Sequence, residues 1–220
     1  MSKKNLIFLI TSGSTKEYID PVRFISNDSS GKMGVALAKQ ALAKQNKVIF
    51  ICGRSEVLPP KKVKLINVVS ALDMFNAVKE NLDKADIVIG AAAVADFAPV
   101  SLKNQKIKKA AKIPVIKLKK NPDIIAYCGK NKKNQIVAGF ALETEKFLEN
   151  AEKKLKSKAL DLIIANGKES MGADKTSVNI INKDGTVIKI NNSDKNAIAG
   201  KIIDETIGIF SNNKAGKKVP

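Results

Sequence analysis

Apolar residues along this chain gather into short continuous runs, and the stretches between those runs have helical spacing. Residues 6–11, 47–52, 63–69 and 86–91 are rich in Ile and Val, the pattern of parallel strands buried on both faces. Between them, residues 32–45 and 71–82 repeat apolar positions at three- and four-residue intervals and predict helices. The alternation continues with a helix opened by Asn121-Pro122-Asp123, Asn as cap and Pro at the first position. A strand at 135–140, a helix at 144–156 and a strand at 160–165 follow. Such alternation predicts an α/β fold: a Rossmann-like, doubly wound, mostly parallel sheet with its sites at the carboxyl ends of the strands.

Two segments break the pattern. Residues 176–182 and 186–190 flank Asp184-Gly185, the signal of a β-hairpin near the C-terminus. Residues 94–120 lack a period, and eight lysines and no acid fall between Ser101 and Lys120. Long excursions of this kind serve as lids or binding flaps. The expectation is one α/β domain over 1–210 with a lysine-rich flap at about 94–120 and a frayed tail over 211–220. No internal repeat or interdomain linker is evident.

Composition narrows the function classes. A chain of 220 residues, 44% hydrophobic, can bury a full core. No run approaches the ~20 apolar residues of a membrane helix, and Met-Ser-Lys-Lys before a short β-like run is no signal peptide. Cys52 and Cys128 sit in apolar surroundings and suggest no disulfide framework. A cytoplasmic location is expected. The net charge of +18 invites a nucleic-acid partner. However, only Arg23 and Arg54 are arginines, and there is no Trp and only two Tyr for base stacking. The lysine excess suits a solvated surface that draws in small polyanions. The absence of histidine excludes Ser-His-Asp and Cys-His catalysis and the usual zinc sites. Chemistry must rest on Lys, Asn, carboxylates and backbone dipoles, with or without Mg²⁺.

Ile25-Ser26-Asn27-Asp28-Ser29-Ser30-Gly31-Lys32-Met33-Gly34 is the richest segment. Small polar residues and glycines before a helix leave backbone N–H groups free to face an anion, where the helix dipole favours negative charge. A helix cap needs one such residue; this segment supplies five. It is not a P-loop, since Ser26 and Met33 stand where Gly and Ser or Thr belong. Nor does Thr11-Ser12-Gly13-Ser14-Thr15 carry the dinucleotide glycine fingerprint. Further on, Gly90-Ala91-Ala92-Ala93-Val94-Ala95-Asp96 at a strand end permits close ligand approach, although tight helix–sheet packing also explains it. Lys106-Ile107-Lys108-Lys109 lies in the flap, where a lysine can stabilise developing phosphate charge. Lys154 and Lys158 are four apart, on one helix face.

With these residues in view, the chain resembles a bacterial phosphopantothenate–cysteine ligase. Asp20-Pro21-Val22-Arg23, Ile25 to Gly34, Gly90 to Asp96, Lys106 to Lys109, Lys119 to Asp123, Gly139 to Thr144 and Leu160 to Asn166 carry the likeness, in order, over residues 6–210. The resemblance implies that CTP activates the phosphopantothenate carboxylate as an acyl-cytidylate, releasing pyrophosphate. The cysteine amine then attacks and CMP leaves. It also implies that Gly90, Asp96, Lys106, Pro122, Asp123, Ile124, Ile125, Phe140, Lys154 and Lys158 line the CTP site. Asn27, with the Ala92–Ala93 backbone, would hold the activated acyl group, and Ser29, Ser30 and Gly31 would cradle phosphopantothenate. Asn27 and Lys106 are the implied catalytic residues. Mg²⁺ would be held mainly by the nucleotide phosphates, with no protein metal site and no flavin. A homodimer with shared sites is implied. Relatives often fuse this unit to a phosphopantothenoylcysteine decarboxylase, so a separate decarboxylase is a possible partner. Asp28 stands where related enzymes often carry histidine.

Two other classes fit less well. Arg54, after the second strand, could meet the 2′-phosphate of NADP, but Tyr127 and Lys130 are one residue too close for the reductase Tyr-x-x-x-Lys. A basic RNA-binding module would leave the ordered motifs without a reason.

Overall fold

The computed structural model describes residues 5–109, 115–142, 147–167 and 175–216. Flap residues 110–114, the expected helix start at Thr144 with its neighbour Glu143, and tail residues 217–220 lie outside the described residues.

The first apolar run forms β1 (Ile7–Ser12), an inner strand of the main sheet. A small antiparallel pair, β2 (Lys16–Tyr18) and β3 (Phe24–Ser26), follows, then α1 (Lys32–Ala43) and β4 (Lys47–Cys52). After β5 (Lys64–Asn67) and α2 (Ala71–Asn81) comes β6 (Ile87–Gly90), on the other side of β1. A second pair, β7 (Phe97–Pro99) and β8 (Leu118–Lys120), leads to α3 (Ile124–Asn131). The chain ends with β9 (Ile136–Leu142), α4 (Phe147–Ser157), β10 (Leu162–Asn166), β11 (Lys175–Asn182), β12 (Val187–Asp194) and α5 (Lys195–Gly216). The main sheet has eight strands in the order β12-β11-β10-β9-β6-β1-β4-β5, and only β11 runs against the others, pairing antiparallel with both β10 and β12. From β5 to β10 this is the Rossmann order, which reverses direction between β1 and β6.

Both faces of the sheet are covered, which is why the central strands read as continuous apolar runs. Alternate residues point to opposite faces. Phe8, Ile10, Phe50 and Ile89 pack with Leu37 of α1 and Ile198, Ile202 and Phe210 of α5. Leu9, Ile51, Val88, Val137 and Ile163 pack with Met74 of α2, Cys128 of α3 and Leu155 of α4. Both cysteines are free and buried, and burial pushes the Cys128 thiol up to about 12.

Four expectations need correction. The run at 63–69 was expected as a buried strand; β5 is shorter and largely exposed, because it closes the edge of the sheet. The tail expected to fray over 211–220 is helical as far as Gly216, as the end of α5. The cap of α3 is Asp123, whose Oδ1 accepts from Ala126 N at 3.0 Å, and so Pro122 lies before the helix rather than at its first position. Asn121 does other work, described below. The aperiodic stretch after β6 contains β7 and β8, strands too short to register as an alternation.

Candidate active site

The reversal of strand order between β1 and β6 opens a crevice at their carboxyl ends, where ligands of such sheets bind. Backbone hydrogen bonds join the loops around it. Ser14 N donates to Arg54 O at 2.9 Å, Arg54 N to Ser14 O at 2.8 Å, and Ala93 N to Gly13 O at 2.8 Å. The loops that follow β1, β4 and β6 therefore form one connected rim.

The β2–β3 hairpin carries the chain away from this rim and returns it as Asn27. Ser26 Oγ donates to Thr15 O at 2.8 Å, and the Asn27 amide Nδ2 donates to Val94 O at 2.9 Å. Thr15, itself buried, accepts from Ala95 N at 3.0 Å through its hydroxyl. Asn27 is thus held against the loop after β6 while remaining exposed to solvent. Next in the chain, Gly31 occupies the N-cap of α1 with φ 75°, and no side chain caps the helix. A glycine cap is only a few tenths of a kcal/mol worse than serine, and it leaves the first N–H groups open toward the crevice. Replacing Gly31 would strain the left-handed backbone and set a Cβ 2.3 Å from Ser55 Oγ. Ser30 is fixed through its carbonyl, which accepts from Glu56 N at 3.1 Å and Ser55 Oγ at 3.3 Å.

Across the crevice, β6 ends at Gly90, and a Cβ there would lie 2.8 Å from Ile125 Cδ1. Packing against α3 therefore accounts for this glycine by itself. Ala92 N lies 3.4 Å from Thr11 Oγ1, and Ala93 N is committed to Gly13. These alanines offer a small surface more than spare donors. Asn121 closes the base of the flap: its Nδ2 donates to Ala95 O at 2.8 Å and its N–H to Asp96 O at 2.9 Å. That brings Pro122 and Asp123 beside exposed Asp96. Ile124 is buried in the core, so only its backbone can face a ligand. Lys158 pairs with Asp123 Oδ2 at 2.8 Å. It lies one residue past α4 but continues its last turn, with Lys158 N donating to Lys154 O at 3.0 Å. Phe140 lies on the α1–α5 face of β9, and Ile125 packs on the opposite face. Gly90, Asp96, Pro122 and Asp123 therefore lie at the carboxyl edge of the sheet, with Phe140 and Ile125 on its opposite faces, whereas Lys154 and Lys158 belong to the C-terminal end of α4. Lys106 is exposed, on a flap segment that folds back onto residues 19–23.

Asp20 is electrostatically perturbed by its surroundings. Burial raises its pKa, but N–H donors from Val22, Ile107 and Arg23 and the Arg23 guanidinium outweigh that and hold its carboxyl well below the usual carboxylate range. Among the described residues, no group of three or more His, Cys, Asp or Glu side chains is placed to hold a metal. A cavity of about 280 Å³ lies beside the crevice, lined by Lys16, Tyr18, Arg54 and Asn67 among others.

The model of the DNA/pantothenate metabolism flavoprotein C-terminal domain matches residues 3–209. The chain belongs to this family. The resemblance read from the motifs is thereby borne out at the level of the domain family. The coenzyme A biosynthesis bifunctional protein CoaBC of Borreliella burgdorferi is 44% identical over 204 residues, 91% of this chain and 52% of that protein. The chain therefore spans about half the length of this relative. The crystal structure of the C-terminal domain of a CoaBC protein superposes with TM-score 0.83 at 35% identity, covering 94% of this chain and 96% of that one. A Cab2 mutant in complex with phosphopantothenate-cysteine has the same fold, with TM-score 0.82 at 21% identity, covering 99% of this chain and 90% of that one.

Within this flavoprotein C-terminal domain, sequence reasoning missed three polar residues that shape the crevice. Thr15 and Glu17 are buried, and Glu17 accepts from Ala71 N at 2.8 Å, at the start of α2. Asp20 was quoted within a motif but given no role. An Asp followed by Pro at a turn does signal a carboxylate that accepts from the N–H groups two and three residues on, and it does so here. Its contact with the flap left no local signal.

Proposed function

We propose that this chain is a CTP-dependent phosphopantothenate–cysteine ligase of coenzyme A biosynthesis, acting in the cytoplasm. A phosphopantothenate carboxylate oxygen attacks the α-phosphorus of CTP, and the bond to pyrophosphate breaks. The cysteine amine then attacks the acyl carbon of the acyl-cytidylate, and CMP leaves. The observation that carries this reading is the uncapped N-terminus of α1 at the strand-order reversal, with Asn27 tethered to the loop after β6. Family membership supports it, and a Cab2 mutant of the same fold forms a complex with phosphopantothenate-cysteine.

In this reading Ser29, Ser30, Gly31 and the first N–H groups of α1 cradle the phosphate of phosphopantothenate. Asn27 orients the acyl group, with Ala92 and Ala93 providing a close-fitting wall. CTP lies toward Gly90, Asp96, Pro122, Asp123, Ile124, Ile125, Phe140, Lys154 and Lys158, with Lys106 closing over its phosphates. Positioning and charge stabilisation supply the catalysis, and neither step requires histidine. Mg²⁺, bound mainly by triphosphate oxygens, would supply charge neutralisation. Pyrophosphate release should depend on phosphopantothenate and Mg²⁺ and be clearly faster with CTP than with ATP. Equal turnover with ATP removes the CTP assignment; no release with any nucleotide removes the ligase reading.

The functional unit in this proposal is a homodimer with sites shared across the interface. Sedimentation velocity should give a dimer at micromolar concentration. A fully active monomer would end the shared-site picture.

A further inference from the structure

Asp20 is fully buried and accepts hydrogen bonds from two distant parts of the chain. Its Oδ1 takes the N–H groups of Val22 at 2.9 Å and Arg23 at 2.8 Å, closing the turn between β2 and β3. Its Oδ2 takes Arg23 Nε at 3.0 Å and Nη2 at 2.6 Å, and also Ile107 N at 3.1 Å. The same Arg23 Nη2 donates to Ile107 O at 2.7 Å. One ion pair thus engages both backbone polar groups of a single flap residue, and Lys103 N adds a bond to Ile19 O at 3.0 Å.

Among the described residues, little else holds this part of the flap. Residues 101–109 are exposed apart from half-buried Ile107, so apolar burial contributes little and the segment's position depends on these hydrogen bonds. The ion pair also lies on the path to the other candidate group: Arg23 precedes β3, which delivers Asn27, and Ile107 directly follows Lys106.

We propose that the Asp20–Arg23 pair is a latch that fixes the flap so that Lys106 faces the crevice, with Asp20 a positioning residue for the first half-reaction. This rests on the reading of Lys106 given above. An ion pair that only closed its own turn would need the bonds to Val22 and Arg23 but none to Ile107. A buried carboxylate is costly to desolvate and is retained where several donors converge on it. Here one of those donors is supplied by the flap.

The test is backbone amide exchange on the free protein, with single-turnover acyl-cytidylate formation measured beside it. In Asp20→Asn, exchange at Lys103 and Ile107 should accelerate by roughly tenfold or more while amides of β1, β4 and β6 keep their protection. Acyl-cytidylate formation should fall by a similar factor, with a raised CTP requirement, and Asp20→Glu should recover part of both. Should Asp20→Asn loosen the core strands as well, Ile107→Pro takes its place, since it deletes the flap donor without altering residues 19–23. Unchanged exchange at Lys103 in Ile107→Pro, or at both amides in Asp20→Asn, overturns the latch. A loosened flap with undiminished acyl-cytidylate overturns the positioning role if Lys106→Gln abolishes the intermediate. If Lys106→Gln leaves the intermediate intact, the reading of Lys106 has failed, and the accelerated exchange still supports the latch.

Discussion

Lys106→Gln is expected to suppress acyl-cytidylate formation by ~10²-fold or more, the scale for losing one positioned group that stabilises transition-state charge. Glutamine keeps much of the length and can still donate, so the difference isolates the positive charge. Lys106 is exposed, and among the described residues no carboxylate is paired with it. Lys158, by contrast, is partly neutralised by Asp123 at 2.8 Å. In the proposed reaction negative charge builds on the bridging oxygen as pyrophosphate departs, and an ammonium held on the flap would meet that charge without reorganisation. Conversion of preformed acyl-cytidylate should be nearly unaffected, because pyrophosphate has by then left. Rapid-quench turnover with labelled CTP measures the step directly. Intermediate accumulating at the parent rate in Lys106→Gln would show that the charge acts elsewhere.

The fold was legible wherever a segment's surroundings are uniform. Strands β1, β4, β6, β9 and β10 are covered on both faces, and their apolar runs located them within two residues. Edge strand β5 shares that apolar composition but is exposed, since composition reports propensity rather than sheet position. Helix α5 shows the mirror failure. Its buried residues Ile198, Ala199, Ile202, Ile203 and Phe210 have helical spacing, and Asp194 Oδ1 accepts from Asn196 N and Ala197 N at its start. Gly200, Gly208 and scattered charges obscured the stripe. The local parts of the candidate site, an open helix start and a strand end of small residues, were legible as structure because each is written in consecutive residues. Its tertiary parts were not. Nothing near Asp20 indicates that its carboxylate meets Ile107, and nothing near Asn121 indicates that its amide closes the flap on Ala95.

Asn27→Asp is expected to separate the two half-reactions in the opposite direction: acyl-cytidylate should form and then persist. The Asn27 amide has two hydrogens on Nδ2. One is donated to Val94 O at 2.9 Å, which holds the side chain against the loop after β6. In the proposed reaction the other would donate to the acyl oxygen and orient the carbonyl for the incoming amine. Aspartate is nearly isosteric but has no donor. It would set a carboxylate against the Val94 carbonyl and repel the oxyanion that develops as cysteine attacks, so the second step should slow by ~10²-fold. The first step depends on charge at the triphosphate and should keep most of its rate. Quenched single-turnover reactions resolved by mass should therefore show acyl-cytidylate building up in Asn27→Asp and nearly absent in Lys106→Gln. If Lys106→Gln accumulates the intermediate while Asn27→Asp makes none, the roles are reversed: the amide then serves nucleotide activation and the flap ammonium serves amine attack.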